Sequence, residues 1–216
     1  ARDGLILAHQ KPCQIHNNCS GKHAGFLTLA QHLKAGPEYI DPAHPVQAAV
    51  RTVFEEVTGE ASPGYGIDGC SAPNFATTVA GLARAMTAFA RANPDGSLRE
   101  RAMARLHRAM AAYPELVAGE GRFCTELMRA MGGRVAIKTG AEAVFVAILP
   151  DQRLGVALKI DDGSTRASEA AITAILIRLG VLDAGHPAAA RYLSGPLKNW
   201  RGMVTGEIRL AAGFPR

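Results

Sequence analysis

With 216 residues, of which 48% are hydrophobic and 20% charged, the chain has the length and composition of a globular protein with one large core or two small domains. The net charge of +5 comes from scattered basic residues with no stripe of interleaved aromatic side chains, which argues against nucleic-acid binding. No apolar run approaches the roughly 18 residues of a membrane span. Four cysteines without a signal peptide argue against a disulfide framework. We therefore expect a cytoplasmic protein.

The hydrophobic pattern predicts helices through the first part of the chain. Apolar residues at helical spacing predict one helix over about 20–33, and His44-Pro45 opens a second that Gly59 ends. Residues 61–74 hold three glycines and two prolines, which predicts a fixed loop without helix or strand. Further helices are predicted over about 75–92, 98–112 and 123–131.

The pattern changes at Gly132-Gly133. β-branched runs of strand length follow at 134–138, 143–149 and 154–160, and a helix is predicted over 164–179. Sequential strands joined by short loops form an antiparallel sheet, so we expect an α+β fold. It would consist of a mainly helical region over 1–132 and an antiparallel sheet with a C-terminal helix and tail over 133–216, which together form one compact unit.

The start of the chain suggests a longer gene product. The first residues, Ala1-Arg2-Asp3-Gly4, include neither an initiator Met nor a targeting pattern. Three strands also make a thin sheet for a chain of this length. We therefore expect the N-terminal strands of the fold to come from sequence upstream of Ala1.

One ten-residue stretch, His-Asn-Asn-Cys-Ser-Gly-Lys-His-Ala-Gly at 16–25, concentrates reactive side chains at the start of the first predicted helix. Cys19 lies near the N-cap, where free backbone N–H groups and the helix dipole favour anions, and Lys22 follows on the same face. Cys19, Lys22 and Cys70 form a candidate zinc site, because two thiolates suit zinc and an open site needs only three protein ligands. Lys22 must lose a proton to act as a ligand, which suits a regulatory metal.

Other interpretations of these residues stay open at this point. Cysteines on separate segments are commonly small buried apolar residues, and His16 or His23 offers another ligand on the same segment. Asp68 can also be a turn residue in a glycine-rich loop. His23 can also be a histidine on the surface of a helix.

A second candidate site is the triplet Lys138-Thr139-Gly140, at the end of the first predicted strand. A Lys-Thr-Gly triplet on a strand edge occurs in penicillin-binding proteins and serine β-lactamases, where the cation and the hydroxyl line the active site. The predicted order of elements fits that fold, and the alternative is a solvated lysine. No serine of this chain is followed three residues later by a lysine, so no nucleophile with its base can be assigned within the 216 residues.

Taken together, the stretch at 16–25, the sequence Gly-Ile-Asp-Gly-Cys-Ser-Ala-Pro-Asn-Phe at 66–75 and the Lys-Thr-Gly triplet resemble the Rhizobium-type, or class 3, L-asparaginases. These have a serine-β-lactamase-like fold. The resemblance covers essentially the whole chain, about the C-terminal two thirds of such a protein. It implies hydrolysis of L-asparagine to L-aspartate and ammonia by a serine–lysine type mechanism, in a homodimer.

The resemblance also implies a zinc site. Cys19, Lys22 and Cys70 would hold the metal near the substrate, with a water as the fourth ligand. Asp68 would lie beside that site and bind the substrate amino group or orient a ligand, which gives it a catalytic or a substrate-binding role.

For the remaining site residues, the resemblance implies that Lys138 is the family's second catalytic lysine and that Lys22, His23 and Thr139 contact the substrate. The serine nucleophile and its partner lysine, in a Ser-x-x-Lys motif, would belong to the preceding N-terminal third. Two alternatives are another amidase or peptidase of the penicillin-recognising fold, and a zinc-binding fragment whose catalytic cleft is incomplete.

Overall fold

The structure is a computed structural model that describes residues 2–214, with the backbone alone for Arg2. These residues form two compact units, the first ending at Thr77 and the second beginning at Thr78. The predicted division between residues 132 and 133 rests on secondary-structure content and stays a prediction. Helices together with small antiparallel sheets confirm the predicted α+β class. No helix within residues 2–214 is long and apolar enough to cross a membrane.

The first unit combines helices with a small β-hairpin. Its helices are α1 (Arg2–Leu7), α2 (Ser20–His32) and α3 (Pro45–Thr58), with a short 3-10 turn at Gln14–His16 between the first two. Its strands are β1 (Tyr65–Ile67) and β2 (Pro73–Phe75), which pair antiparallel with Tyr65 opposite Phe75.

Helix α3 begins and ends where the sequence predicts. The His44 side chain accepts a hydrogen bond from the Val46 amide at 3.2 Å, and Pro45 occupies the first helical position, where no N–H is needed. Gly59 ends the helix with a φ of 67°, a left-handed conformation that glycine adopts without steric penalty.

The prediction of a loop without strands over 61–74 is wrong. The prolines lie outside β1 or at the first residue of β2, positions at which a strand tolerates the missing N–H. The strands can therefore pair, and residues 68–72 connect them. The Asp68 amide donates to the Ala72 carbonyl at 2.9 Å, and the Ser71 amide donates to the Asp68 carbonyl at 2.8 Å, so the tip of the hairpin is a hydrogen-bonded turn.

The second unit holds a three-stranded sheet surrounded by helices. Before the sheet come α4 (Val79–Arg91), α5 (Leu98–Ala112), α6 (Pro114–Ala118) and α7 (Phe123–Ala130). The sheet contains β3 (Ala136–Thr139), β4 (Val144–Leu149) and β5 (Leu154–Lys159). After it come α8 (Thr165–Arg178), α9 (Pro187–Leu193) and a hairpin of β6 (Pro196–Lys198) and β7 (Val204–Glu207).

The sheet is antiparallel with the strand order β3-β4-β5. Helix α4 packs against the face that carries Gly155, where an added Cβ would lie within 2.6 Å of the Ala83 carbonyl oxygen. Phe145 points to the opposite face, because strand residues alternate, and its ring meets Phe123 of α7 edge to face at 5.4 Å. The buried core around the sheet includes Leu127, Met128, Met131, Ile137, Phe145, Leu149, Ile172 and Leu176.

Candidate metal and substrate site

Cys19 occupies the N-cap of helix α2, which confirms its predicted position at the start of the helix. The Asn17 side-chain oxygen accepts a hydrogen bond from the Cys19 amide at 2.8 Å, and the Cys19 carbonyl accepts the first helical bond from the His23 amide at 3.0 Å. The Cys19 side chain makes no capping hydrogen bond with the helix. The thiol therefore projects from a fixed backbone and stays available to other groups.

The hairpin tip brings Asp68 and Cys70 to the same place. Cys19 Sγ, Cys70 Sγ and a carboxylate oxygen of Asp68 all lie within 4.8 Å of one another. Lys22, in the first turn of α2, donates a hydrogen bond from Nζ to Asp68 Oδ2 at 3.2 Å. The predicted residues Cys19, Lys22, Asp68 and Cys70 thus form one cluster, called here the thiol–lysine cluster, while their individual roles stay predictions.

The positive charge of Lys22 and the negative charge of Asp68 stabilise each other in the thiol–lysine cluster. The hydrogen bond from Lys22 lowers the pKa of Asp68. Partial burial disfavours the Lys22 cation, but its hydrogen bonds to Cys70 and Asp68 outweigh that effect and raise its pKa. Burial raises the pKa of the Cys19 thiol, although the Lys22 charge opposes the shift. These directions favour a lysine cation beside an Asp68 carboxylate, so Lys22 acts as a hydrogen-bond donor in this arrangement.

The donor set of the cluster fits zinc. Two sulfur atoms and a carboxylate oxygen are donors that zinc takes in proteins, and an open site needs no more than three protein ligands. The set differs from the predicted one, because the Asp68 oxygen stands with the two sulfurs and is hydrogen-bonded to the predicted lysine ligand. Asp68 could therefore supply the third ligand as it stands, whereas Lys22 would first have to lose a proton.

His23 lies one residue after Lys22 on α2 and belongs to an aromatic group. His23 Nδ1 is 2.9 Å from the Tyr39 hydroxyl, and its ring meets those of Phe26 and Tyr39 edge to face. Its Nε2 is buried without a hydrogen-bond partner. A buried polar atom without a partner costs about 1–3 kcal/mol, so this nitrogen is a group that a ligand or an ordered water would satisfy.

A cavity of about 430 Å³ adjoins the thiol–lysine cluster within the first unit. His23 and Cys70 both line it, together with Gln14, Ile15, Asn17, Ser20, Ala24, Leu27, Tyr39, Ile40 and Ser71. Its size is within the range of small-molecule pockets. Tyr39 is a wall residue that the sequence did not single out, because it comes from a proline-rich loop and no local pattern connects it to His23.

Lys138 and Thr139 lie at the end of β3 in the second unit. Lys138 is exposed, stands opposite Val146 in the sheet, and donates a hydrogen bond to the Thr139 carbonyl. Cys124 is buried nearby, and burial raises the pKa of its thiol while the Thr139 amide and the Lys138 charge oppose the shift. The triplet thus has a polar outer side and a thiol beneath it.

The turn directly after the triplet is strained. Glu142 and Ala143 have φ values of 54° and 57°, in the left-handed region that non-glycine residues rarely adopt. Ala143 is buried, and the Gly140 amide donates to the Val144 carbonyl at 2.7 Å, which closes the turn. Strained backbone of this kind is concentrated at functional sites. Composition and periodicity give no sign of it, since neither residue is a glycine.

A sequence model of the L-asparaginase II family matches residues 1–210. The match spans nearly the whole chain, so the protein belongs to this family. Membership makes it an asparaginase-type amidohydrolase and indicates a small-molecule substrate. A search among curated proteins found no match. The Rhizobium-type class within the asparaginases stays a prediction.

Proposed function

We propose that the protein is a Rhizobium-type, or class 3, L-asparaginase that hydrolyses L-asparagine to L-aspartate and ammonia. Family membership over residues 1–210 supports an asparaginase reaction. The observation that carries the finer assignment is the thiol–lysine cluster, in which the motifs at 16–25 and 66–75 meet through the contact of Lys22 with Asp68 at 3.2 Å.

The fold proposed with this assignment is serine-β-lactamase-like. Supporting it is the order of elements, in which Lys138-Thr139-Gly140 ends strand β3, two antiparallel strands follow, and helix α8 comes next. The proposal also includes a homodimer in the cytoplasm, because the resemblance to class 3 enzymes implies a dimer.

Zinc is the metal proposed for the thiol–lysine cluster. Cys19 and Cys70 would hold it together with Lys22 or Asp68, and a bound zinc ion supplies positive charge for polarising a carbonyl or a water. Asp68 would accept a hydrogen bond from the substrate ammonium group or orient Lys22. His23 lines the adjacent cavity, and its unpartnered Nε2 would bind a polar group of the substrate.

Hydrolysis of an amide needs an activated nucleophile, a proton for the leaving ammonia, and hydrogen-bond donors for the oxyanion. Lys138 would move the proton, and the Thr139 hydroxyl would bind substrate beside it. No Ser-x-x-Lys motif occurs in the sequence, so the serine nucleophile of this mechanism and its partner lysine would come from outside the 216 residues.

The test is ammonia release by the complete protein from L-asparagine, compared with L-glutamine, a dipeptide and a β-lactam. We expect turnover of asparagine and loss of kcat in Lys138→Ala with little change in KM, because a proton-transfer group acts in the transition state. Lys159→Ala is the matched control, since Lys159 is likewise an exposed lysine near the end of a strand and donates to the carbonyl of the next residue. It should keep wild-type activity.

Two results would overturn the assignment. Hydrolysis of peptides or β-lactams in preference to asparagine would make the protein another amidase or peptidase of the penicillin-recognising fold. Stoichiometric zinc without hydrolysis of any amide would favour the second candidate, a zinc-binding fragment, which the thiol–lysine cluster and the missing nucleophile motif both support.

A further inference from the structure

Two thiols lie side by side in the thiol–lysine cluster. Cys19 Sγ and Cys70 Sγ are within 4.8 Å of each other, and both cysteines are free and partly exposed. A disulfide joins its sulfur atoms at about 2.05 Å, so the pair is close but not bonded. To form a bond the two sulfurs must come closer, one from the N-cap of helix α2 and the other from the tip of the β1–β2 hairpin.

The contacts that this movement would rearrange lie within the thiol–lysine cluster itself, where the Cys70 side chain is hydrogen-bonded to Cys19, Lys22 and Asp68. Cys19 makes no capping hydrogen bond, so rotation of its side chain leaves the capping of helix α2 unchanged. Cys70 is in the turn from Asp68 to Ser71, which is held by the backbone bond between Ser71 and Asp68. A Cβ at Gly69 would meet no atom within 4 Å, which shows open space around the tip.

We propose that Cys19 and Cys70 are an oxidative modification site, at which a hydroperoxide converts the two thiols into a reversible disulfide. In the first step one sulfur attacks the peroxide, an S–O bond forms, the O–O bond breaks, and water or an alcohol leaves with a sulfenic acid on the protein. In the second step the other thiol attacks the sulfenic sulfur, the S–S bond forms, and water leaves. Two thiols and one peroxide are consumed, and a dithiol reductant restores the pair.

The modification would control metal binding at the same cluster. A disulfide removes the thiolate form that zinc requires from both cysteines at once, so oxidation and zinc binding would exclude each other. This consequence rests on the proposed zinc site. The disulfide itself rests only on the placement of the two sulfurs, and its test needs neither zinc nor asparagine turnover.

The experiment treats the whole chain, stripped of metal, with hydrogen peroxide and then maps its cysteines by mass spectrometry. We expect two of the four thiols to disappear, a mass loss of two hydrogen atoms, and one cross-linked peptide pair joining Cys19 to Cys70. Dithiothreitol should restore all four thiols. At zinc about 100 times its Kd, the disulfide should form about 100-fold more slowly, because only the metal-free fraction reacts.

Variants distinguish oxidation of this pair from oxidation at the exposed thiol of Cys13, whose Sγ is 3.3 Å from His16 Nδ1. Cys13→Ser should form the same disulfide as the wild type, whereas Cys19→Ser and Cys70→Ser should not form it. Matching circular dichroism spectra would show that the variants fold. Sulfinic acid at Cys19 without a cross-link, or a disulfide from Cys13 to Cys19, would overturn the proposal. A disulfide that forms equally fast with zinc present would support the pair and contradict the metal site alone.

Discussion

The thiol–lysine cluster and the Lys138-Thr139-Gly140 triplet rest on different kinds of support. Among the described residues of the first unit, the buried ones are few and none is a large apolar residue: Ala30, Val46, Gln47, Thr58, Ser62, Ala72 and Pro73. The triplet lies at the end of strand β3. Ile137 of the same strand and Phe145 of the adjacent strand β4 are fully buried in a large apolar cluster. One site is held by hydrogen bonds between the start of helix α2 and a hairpin tip, and the other by the core of a sheet.

This difference predicts two classes of mutant. Changes beneath the triplet should first lower the stability of the fold, because a core loses the transfer free energy of the removed atoms and gains a cavity. Changes in the thiol–lysine cluster should first alter ligand binding, because partly exposed polar contacts contribute little to folding. Each prediction below tests one side of this comparison.

The largest effect is expected for Phe145→Ala. The side chain is fully buried and packs against Phe123, so its removal should lower the free energy of unfolding by about 3–5 kcal/mol. Urea denaturation followed by circular dichroism measures the change. Phe75→Ala is the control in the first unit, where the ring is partly buried against Phe54 and Tyr65. Similar losses for both variants would contradict the comparison.

The next effect is expected for Gly155→Ala. The new Cβ would lie within 2.6 Å of the Ala83 carbonyl oxygen and against the backbone of Met86 and Thr87, so helix α4 must move away from the sheet. Overpacking of this kind costs about 1–3 kcal/mol. Gly66→Ala, in strand β1, meets no atom within 4 Å and should be tolerated. Equal melting temperatures for the two variants would show that the contact of α4 with β5 is not close.

Much of the fold could be predicted because its local signals are strong. Helix α5 has the predicted bounds, since Ser97 and Glu100 form a capping box before a regular apolar pattern. The three strands of the sheet β3-β4-β5 were predicted from their β-branched runs and from the short loop between β4 and β5. Hairpin β1–β2 was missed, because glycine and proline are poor strand formers and only pairing across the turn creates these strands.

The candidate site was predictable only as separate motifs. The pattern around Cys19 indicated a helix start, which the structure confirms. The contact of Lys22 with Asp68 joins residues 46 positions apart, and nothing local in the sequence specifies that distance. Tyr39 and the positive φ of Ala143 depend on tertiary packing in the same way, so the sequence could not show them.

A smaller, pH-dependent effect is expected at His107, which is buried in the second unit. Burial lowers its pKa and the Arg108 charge adds to the shift, while Asp151 and a hydrogen bond with the Arg134 backbone oppose it. Because the folded pKa is depressed, the unfolded chain binds more protons at acidic pH. The stabilising contribution of the neutral ring is therefore present above the unfolded pKa of about 6.5 and is lost as pH falls through the folded pKa.

The measurement is the melting temperature across acidic and neutral pH for the wild type and His107→Gln, which does not titrate. We expect the acid-induced decrease to be smaller in His107→Gln than in the wild type. His32→Gln, at an exposed position of α2, serves as the control and should keep the wild-type profile. An unchanged profile in His107→Gln would assign the acid sensitivity to other groups.

The smallest change in stability is expected for Asp68→Asn and Lys22→Ala. Their side chains are 35% and 39% exposed, and an ion pair in that environment contributes no more than about 1 kcal/mol. Zinc affinity, measured by competition with a chelator, should respond more. Loss of Asp68 should weaken zinc roughly 10–100-fold if its oxygen orients Lys22, and by more if that oxygen is itself a ligand. Lys22→Ala should weaken zinc less than Cys19→Ser or Cys70→Ser does.

A second exposed ion pair provides the control for the zinc affinities of Asp68→Asn and Lys22→Ala. Arg129 and Glu120 are 2.8 Å apart in the second unit, so Glu120→Gln removes a similar contact away from any sulfur donor. It should leave zinc affinity unchanged. If Asp68→Asn weakens zinc more than Lys22→Ala does, the carboxylate is the third ligand; the reverse order would assign that ligand to the lysine nitrogen. Zinc affinity that follows stability in all three variants would contradict the view that the thiol–lysine cluster is built for binding.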